Sequence, residues 1–84
     1  MEIKKHEKGS TVIPDGNVNL VNAEELKQTL LSLYEQGCSE ITVDFSNITI
    51  MDSAGLGKLL LVQKKLRERG GSLRIVNIKS ENPR

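Results

Sequence analysis

Ile41-Thr42-Val43-Asp44-Phe45-Ser46-Asn47-Ile48-Thr49-Ile50-Met51-Asp52-Ser53-Ala54-Gly55-Leu56-Gly57 is the stretch on which the fold turns. Its first five residues alternate in character and predict a strand. Ser46-Asn47 breaks that strand, and Ile48 to Met51 is a second apolar stretch leading to Asp52-Ser53. From Ala54 to about Arg69 the spacing of Leu56, Leu59, Leu60, Val62 and Leu66 predicts a helix with a broad apolar stripe. Gly70-Gly71 terminates it, and Leu73 to Ile78 reads as another strand. A strand–helix–strand run of this kind favours parallel pairing through a right-handed crossover.

Working toward the N-terminus, Asn22 reads as an N-cap with Glu25 three residues later, in the manner of a capping box. Ala23, Leu26, Leu30, Leu33 and Tyr34 then follow at helical spacing up to a terminating Gly37. Before that helix lie a weak strand over Glu2 to His6, a Lys8-Gly9-Ser10 turn and a β-branched run at Thr11-Val12-Ile13. Pro14-Asp15-Gly16-Asn17 reads as a strong turn. The expected order is therefore β-β-α-β-α-β: an α/β fold with a small mixed, largely parallel sheet and both helices packed on one face.

Size and charge narrow the function classes. Eighty-four residues make one domain, 1–84, with a thin core. One Phe, one Tyr and no Trp leave little for an aromatic ligand pocket. Twelve Lys and Arg against 11 Asp and Glu argue against a direct nucleic-acid binder. Lys64, Lys65, Arg67 and Arg69 cluster where they complement the negative end of a helix dipole. Cys38 has no partner for an internal disulfide. The N-terminus is charged, and Leu59 to Val62, the longest apolar run, is far below the ~20 residues of a spanning helix. A cytoplasmic location with no membrane span is expected.

Packing alone accounts poorly for Met51 to Gly57. Two glycines fall in the first predicted turn, each costing about 0.8–1 kcal/mol relative to Ala inside a helix. Two readings compete. In one, Asp52 or Ser53 is an N-cap and the glycines relieve crowding against a strand. In the other, Ser53 is an exposed hydroxyl on a surface lightened by glycine, open to phosphorylation or to a partner, and a phosphate there suits a helix N-terminus. Catalysis by Ser53 lacks company: the lone histidine, His6, falls in the first strand, and the flanking residues are not a Gly-x-Ser-x-Gly elbow. Neither a metal-ligand spacing nor a cofactor motif is present, so no metal and no cofactor are expected.

The run from Val43 to Gly57, continued by Gly70-Gly71-Ser72-Leu73-Arg74-Ile75-Val76-Asn77, closely resembles the signature of STAS domains, the family of bacterial anti-sigma factor antagonists. Val21-Asn22-Ala23-Glu24-Glu25-Leu26 is similar to that family's first helix. The resemblance implies that Ser53 is the phosphoacceptor, with Asn17, Asn19, Asp52, Ala54, Gly55, Leu56 and Gly57 facing a partner. It implies an anti-sigma factor serine kinase that binds the unphosphorylated form and a serine phosphatase that resets the switch.

Two departures stand out. Gly16-Asn17-Val18-Asn19 replaces the family's Gly-Glu-Leu-Asp pattern on a surface that often meets the kinase. The sequence also stops at Pro83-Arg84, where members commonly continue into C-terminal helices, so a homodimer or another protein is expected to cover the exposed flank. The alternative within the same family is a scaffold or accessory subunit of a stress-signalling or lipid-transport complex whose Ser53 is never phosphorylated.

Overall fold

The computed structural model describes residues 1–18, 20–51 and 53–78. In chain order these form β1 (Glu2–Lys5), β2 (Ser10–Ile13), β3 (Asp15–Val18), α1 (Leu20–Glu35), β4 (Glu40–Asp44), β5 (Asn47–Met51), α2 (Ser53–Glu68) and β6 (Ser72–Val76). Four strands pair in the order β1-β2-β4-β6, with β1 antiparallel to β2 and the other two pairings parallel. A second parallel ladder joins β3 to β5. The fold is α/β with a largely parallel sheet, as expected.

Alternation decides which face of the sheet is covered. Ser10, Ile41 and Leu73 lie in one row across β2, β4 and β6, and all three are buried. Val12 and Val43 make the next buried row. Against that face pack Ala23, Leu26, Leu30 and Leu33 of α1 with Leu59, Val62 and Leu66 of α2, completed by Phe45 and Ile48 in a single core. Both helices therefore share one side, in agreement with right-handed crossovers between parallel strands.

Identical chemistry ends the two helices. The Cys38 N–H donates to the Leu33 carbonyl at 3.1 Å and the Gly37 N–H to that of Tyr34 at 3.1 Å. The Gly71 N–H likewise donates to Leu66 at 2.7 Å and the Gly70 N–H to Arg67 at 3.0 Å. Each is a Schellman motif, with Gly37 and Gly70 in the left-handed conformation such a cap requires.

Three expectations are corrected. Pro14 to Asn17 is not a turn: Asp15–Val18 is β3, held by β5, and the turn chemistry survives only as a register shift between Gly16 and Asn17. The stretch before Asp52-Ser53 is β5, so the order gains two strands over the one expected. Parallel pairing overrode local turn propensity in both segments. Asn22 is not an N-cap either, because α1 starts at Leu20 and takes Asn22 into its first turn. The first residue of α1 stands two positions after the last residue of β3.

Candidate functional site

The carboxyl ends of the parallel strands β3 and β5 meet the start of α2. Asn17 pairs with Ile50 and Val18 with Met51, so the ladder sets the end of β3 beside the residues that lead into Ser53. Parallel sheets place their ligand-facing groups at this end. Two segments singled out separately in the sequence, around Asn17 and around Ser53, are thus brought together by main-chain pairing. Asn19 and Asp52 lie outside the described residues, and Ala54 is placed by its backbone in the first turn of α2.

Ser53 is the first residue of α2 and is exposed. At this position it stands among the N–H groups that a helix leaves unbonded, where negative charge is favoured. The two glycines that follow differ. Gly55 is buried, turned into the fold. Gly57 is exposed, and a Cβ built there meets nothing within 4 Å. Crowding against a strand therefore does not explain Gly57, and the molecule itself makes no use of the missing side chain.

The face around Gly57 is apolar. Positions 53, 57 and 60 fall on one side of a helix. Leu60, expected in the buried stripe, is 51% exposed instead, and Leu56 is half-buried. Ile50 at the end of β5 is 63% exposed. Sequence reasoning missed Ile50 and Leu60 as surface residues. The signal was available in part, since α2 carries more apolar residues than one stripe of a 16-residue helix holds.

Behind this surface, ionic and polar ties fix the frame. The Lys58 ammonium of α2 lies 2.8 Å from a Glu24 carboxylate oxygen of α1, and Lys27 lies 3.4 Å from the same oxygen. The Lys58 hydrogen bond, followed by that from Gln28, holds the Glu24 carboxyl at a pKa of about 2, well below its usual value. Asp44, in the signature stretch, accepts hydrogen bonds from Asn77 Nδ2 and the Ser46 N–H, each at 2.9 Å. The Asn77 bond is the main reason its carboxyl is held below the ordinary range. It ties the break between β4 and β5 to the end of β6.

Other candidates bring nothing catalytic together. His6 lies just past β1, with Nε2 3.0 Å from Thr11 Oγ1 and on the far side of the sequence from α2. Cys38 is half-buried, its Sγ 3.4 Å from the Glu40 carbonyl. Among the described residues no three His, Cys, Asp or Glu side chains are grouped to hold a metal ion. Among them, too, no helix is long and apolar enough to cross a membrane.

Comparison with known proteins identifies the family of this two-layer α/β fold. The family described as "Mlab, STAS domain" matches residues 1–82, and the chain belongs to the STAS domain family. It is 30% identical over 78 residues to an anti-sigma-B factor antagonist of Bacillus subtilis, a match covering 93% of this chain and 71% of that protein. It is 36% identical over 64 residues to the putative anti-sigma factor antagonist BtrV of Bordetella bronchiseptica, covering 76% of this chain and 55% of that one. The structure of the anti-sigma factor antagonist SpoIIAA in its unphosphorylated form superposes with a TM-score of 0.80 at 18% identity, over 94% of this chain and 74% of that chain. That last likeness is one of fold.

Proposed function

We propose that this protein is an anti-sigma factor antagonist, a binding domain that engages an anti-sigma factor serine kinase while Ser53 is unphosphorylated and releases it once phosphorylated. The observation that carries the reading is the exposed Ser53 at the start of α2 beside Gly57, whose absent side chain leaves open surface. The names of the curated relatives point the same way.

Phosphate at Ser53 adds about −1.5 to −2 charges at neutral pH. At the first position of a 16-residue helix the fold tolerates that charge, which interacts favourably with the dipole. Its effect falls on the partner, whose contact with Gly57, Leu56 and Leu60 would have to desolvate a dianion. Asn17, brought alongside through β3, is proposed to meet the same partner, as are Asn19, Asp52 and Ala54; Gly55, expected there from the sequence, is buried and is not part of that contact. A serine phosphatase returns the domain to its binding state. The whole operates in the cytoplasm, where kinase and sigma factor reside.

Incubation with a cognate anti-sigma factor kinase and ATP, read by mass spectrometry, is expected to place phosphate on Ser53 and to place none after Ser53→Ala. Phosphate on Ser46 or Thr49 instead would overturn the assignment. Ser53→Asp is expected to weaken kinase binding at least tenfold, about 1.4 kcal/mol. A second reading, a scaffold whose Ser53 is never phosphorylated, is favoured by the amides Asn17 and Asn19 and by the family description, which names Mlab. Equal affinity of Ser53→Asp and the native chain for the partner would select it.

A further inference from the structure

Helices α1 and α2 run side by side in a constant register. Glu24 meets Lys58 at one end, 34 positions apart, and Tyr34 meets Arg69 at the other, 35 positions apart. At that second end the Arg69 guanidinium lies 3.6 Å above the Tyr34 ring and donates to the Tyr34 carbonyl. Between the two ties, on the side away from the sheet, lies a groove of about 290 Å³. Its floor includes Leu31 and Leu61, and its walls carry Lys27, Lys64, Lys65 and Glu68.

Core packing does not explain this surface. Leu61 is 55% exposed and lines the groove together with Lys64 and Lys65. Lys27 shares the Glu24 carboxylate with Lys58, whereas Lys64 and Lys65 form no ion pair among the described residues. The groove therefore has an apolar floor and a net positive rim on a chain whose overall charge is only +1. The ties at both ends hold it open in advance, so a ligand need not order it.

We propose that this groove is a second docking site, and that it takes an acidic amphipathic helix of a partner protein. The two ties stand about ten residues apart along each helix, which makes a trough about 15 Å long, the length of two to three helical turns. An incoming helix would lay its apolar stripe on Leu31 and Leu61 and its flanking carboxylates on Lys64 and Lys65, the helix-in-groove mode of recognition. A membrane surface fits less well. The floor offers no aromatic anchor, and Glu68 on the rim would face anionic headgroups. The groove sits two to three turns along α2 from Ser53, so occupancy here does not need the serine.

The test uses the isotope-labelled full chain and a synthetic helix-forming peptide of about five turns, with leucines spaced for one face and glutamates flanking them. Saturable binding is expected, with amide shifts centred on Lys27, Leu31, Leu61 and Lys65. Raising the salt should weaken it. Leu61→Asp and Lys64→Glu/Lys65→Glu should each lower the affinity at least tenfold, with circular dichroism unchanged because the altered side chains are exposed. A peptide with lysines for glutamates should fail to bind. No saturable binding, equal affinity for the lysine peptide, or shifts gathered at the start of α2 would overturn the proposal. Binding through Leu61 to anionic phospholipid vesicles, or self-association lost in Leu61→Asp, would overturn it in favour of a membrane or a second copy.

Discussion

Gly57 and Gly71 are both small, and physics asks opposite things of them. Gly57 lies on a helix surface with nothing within 4 Å of a built Cβ, so alanine there removes only the backbone entropy penalty of glycine. Gly57→Ala is expected to stabilise the fold by about 0.8–1 kcal/mol, seen as a higher denaturation midpoint. A Cβ at Gly71 would press well under 3.0 Å onto the Ser39 carbonyl, and one at Gly9 onto that of Glu40. These two glycines let the chain pass the start of β4 on either side, where the Ser72 N–H bonds the Ser39 carbonyl at 2.8 Å. Gly71→Ala should therefore destabilise the fold, and chemical denaturation of the two variants in parallel reads the contrast directly.

At the scale of elements, the pairing of α1 with α2 carries a pH-dependent tie. The Glu24 carboxyl is held at about 2 against an ordinary 4.5, chiefly by Lys58. A depressed folded-state pKa contributes stability that is present above the unfolded value and is lost as pH falls toward the folded one. Glu24→Gln is therefore expected to lose stability relative to the native chain at neutral pH, with the gap closing between about pH 4.5 and about 2. Because the pair is half-exposed to solvent, the gap is small and shrinks in salt. Urea midpoints measured across that range check the sign.

The elements also show what a sequence can disclose. Both helices, their glycine ends and β4 and β6 follow from periodicity and from the left-handed cap, local properties written in a few adjacent residues. β3 and β5 do not. Each is short, opens on residues that read as a break, Asp15-Gly16 in one and Asn47 in the other, and is held as a strand by the one beside it. Ser53 was legible as the residue between an apolar run and a helix. Its neighbours Ile50 and Leu60 were not, since an apolar residue gives no sign in isolation of whether it faces core or solvent. The groove between the helices was invisible for a related reason: it depends on the register of α1 against α2, which no single helix records.

For the whole molecule, one thin core joins every layer. At about 0.05–0.15 kcal/mol per residue, a chain of this size has a total stability of roughly 4–13 kcal/mol. Leu30 is fully buried where α1 meets sheet and α2. Leu30→Ala is expected to cost about 2–5 kcal/mol, a large part of that total. Thermal unfolding should show a sharply lowered midpoint or an unfolded chain at 25 °C, while Leu61→Ala on the surface should shift little.

The β3–β5 ladder has one last consequence. Its bonds run between backbone groups and take no notice of side-chain identity, so positions 17 and 50 are held in place whatever residues occupy them. The side chains displayed on this strand pair can therefore be exchanged without moving the backbone that sets Ser53 beside them.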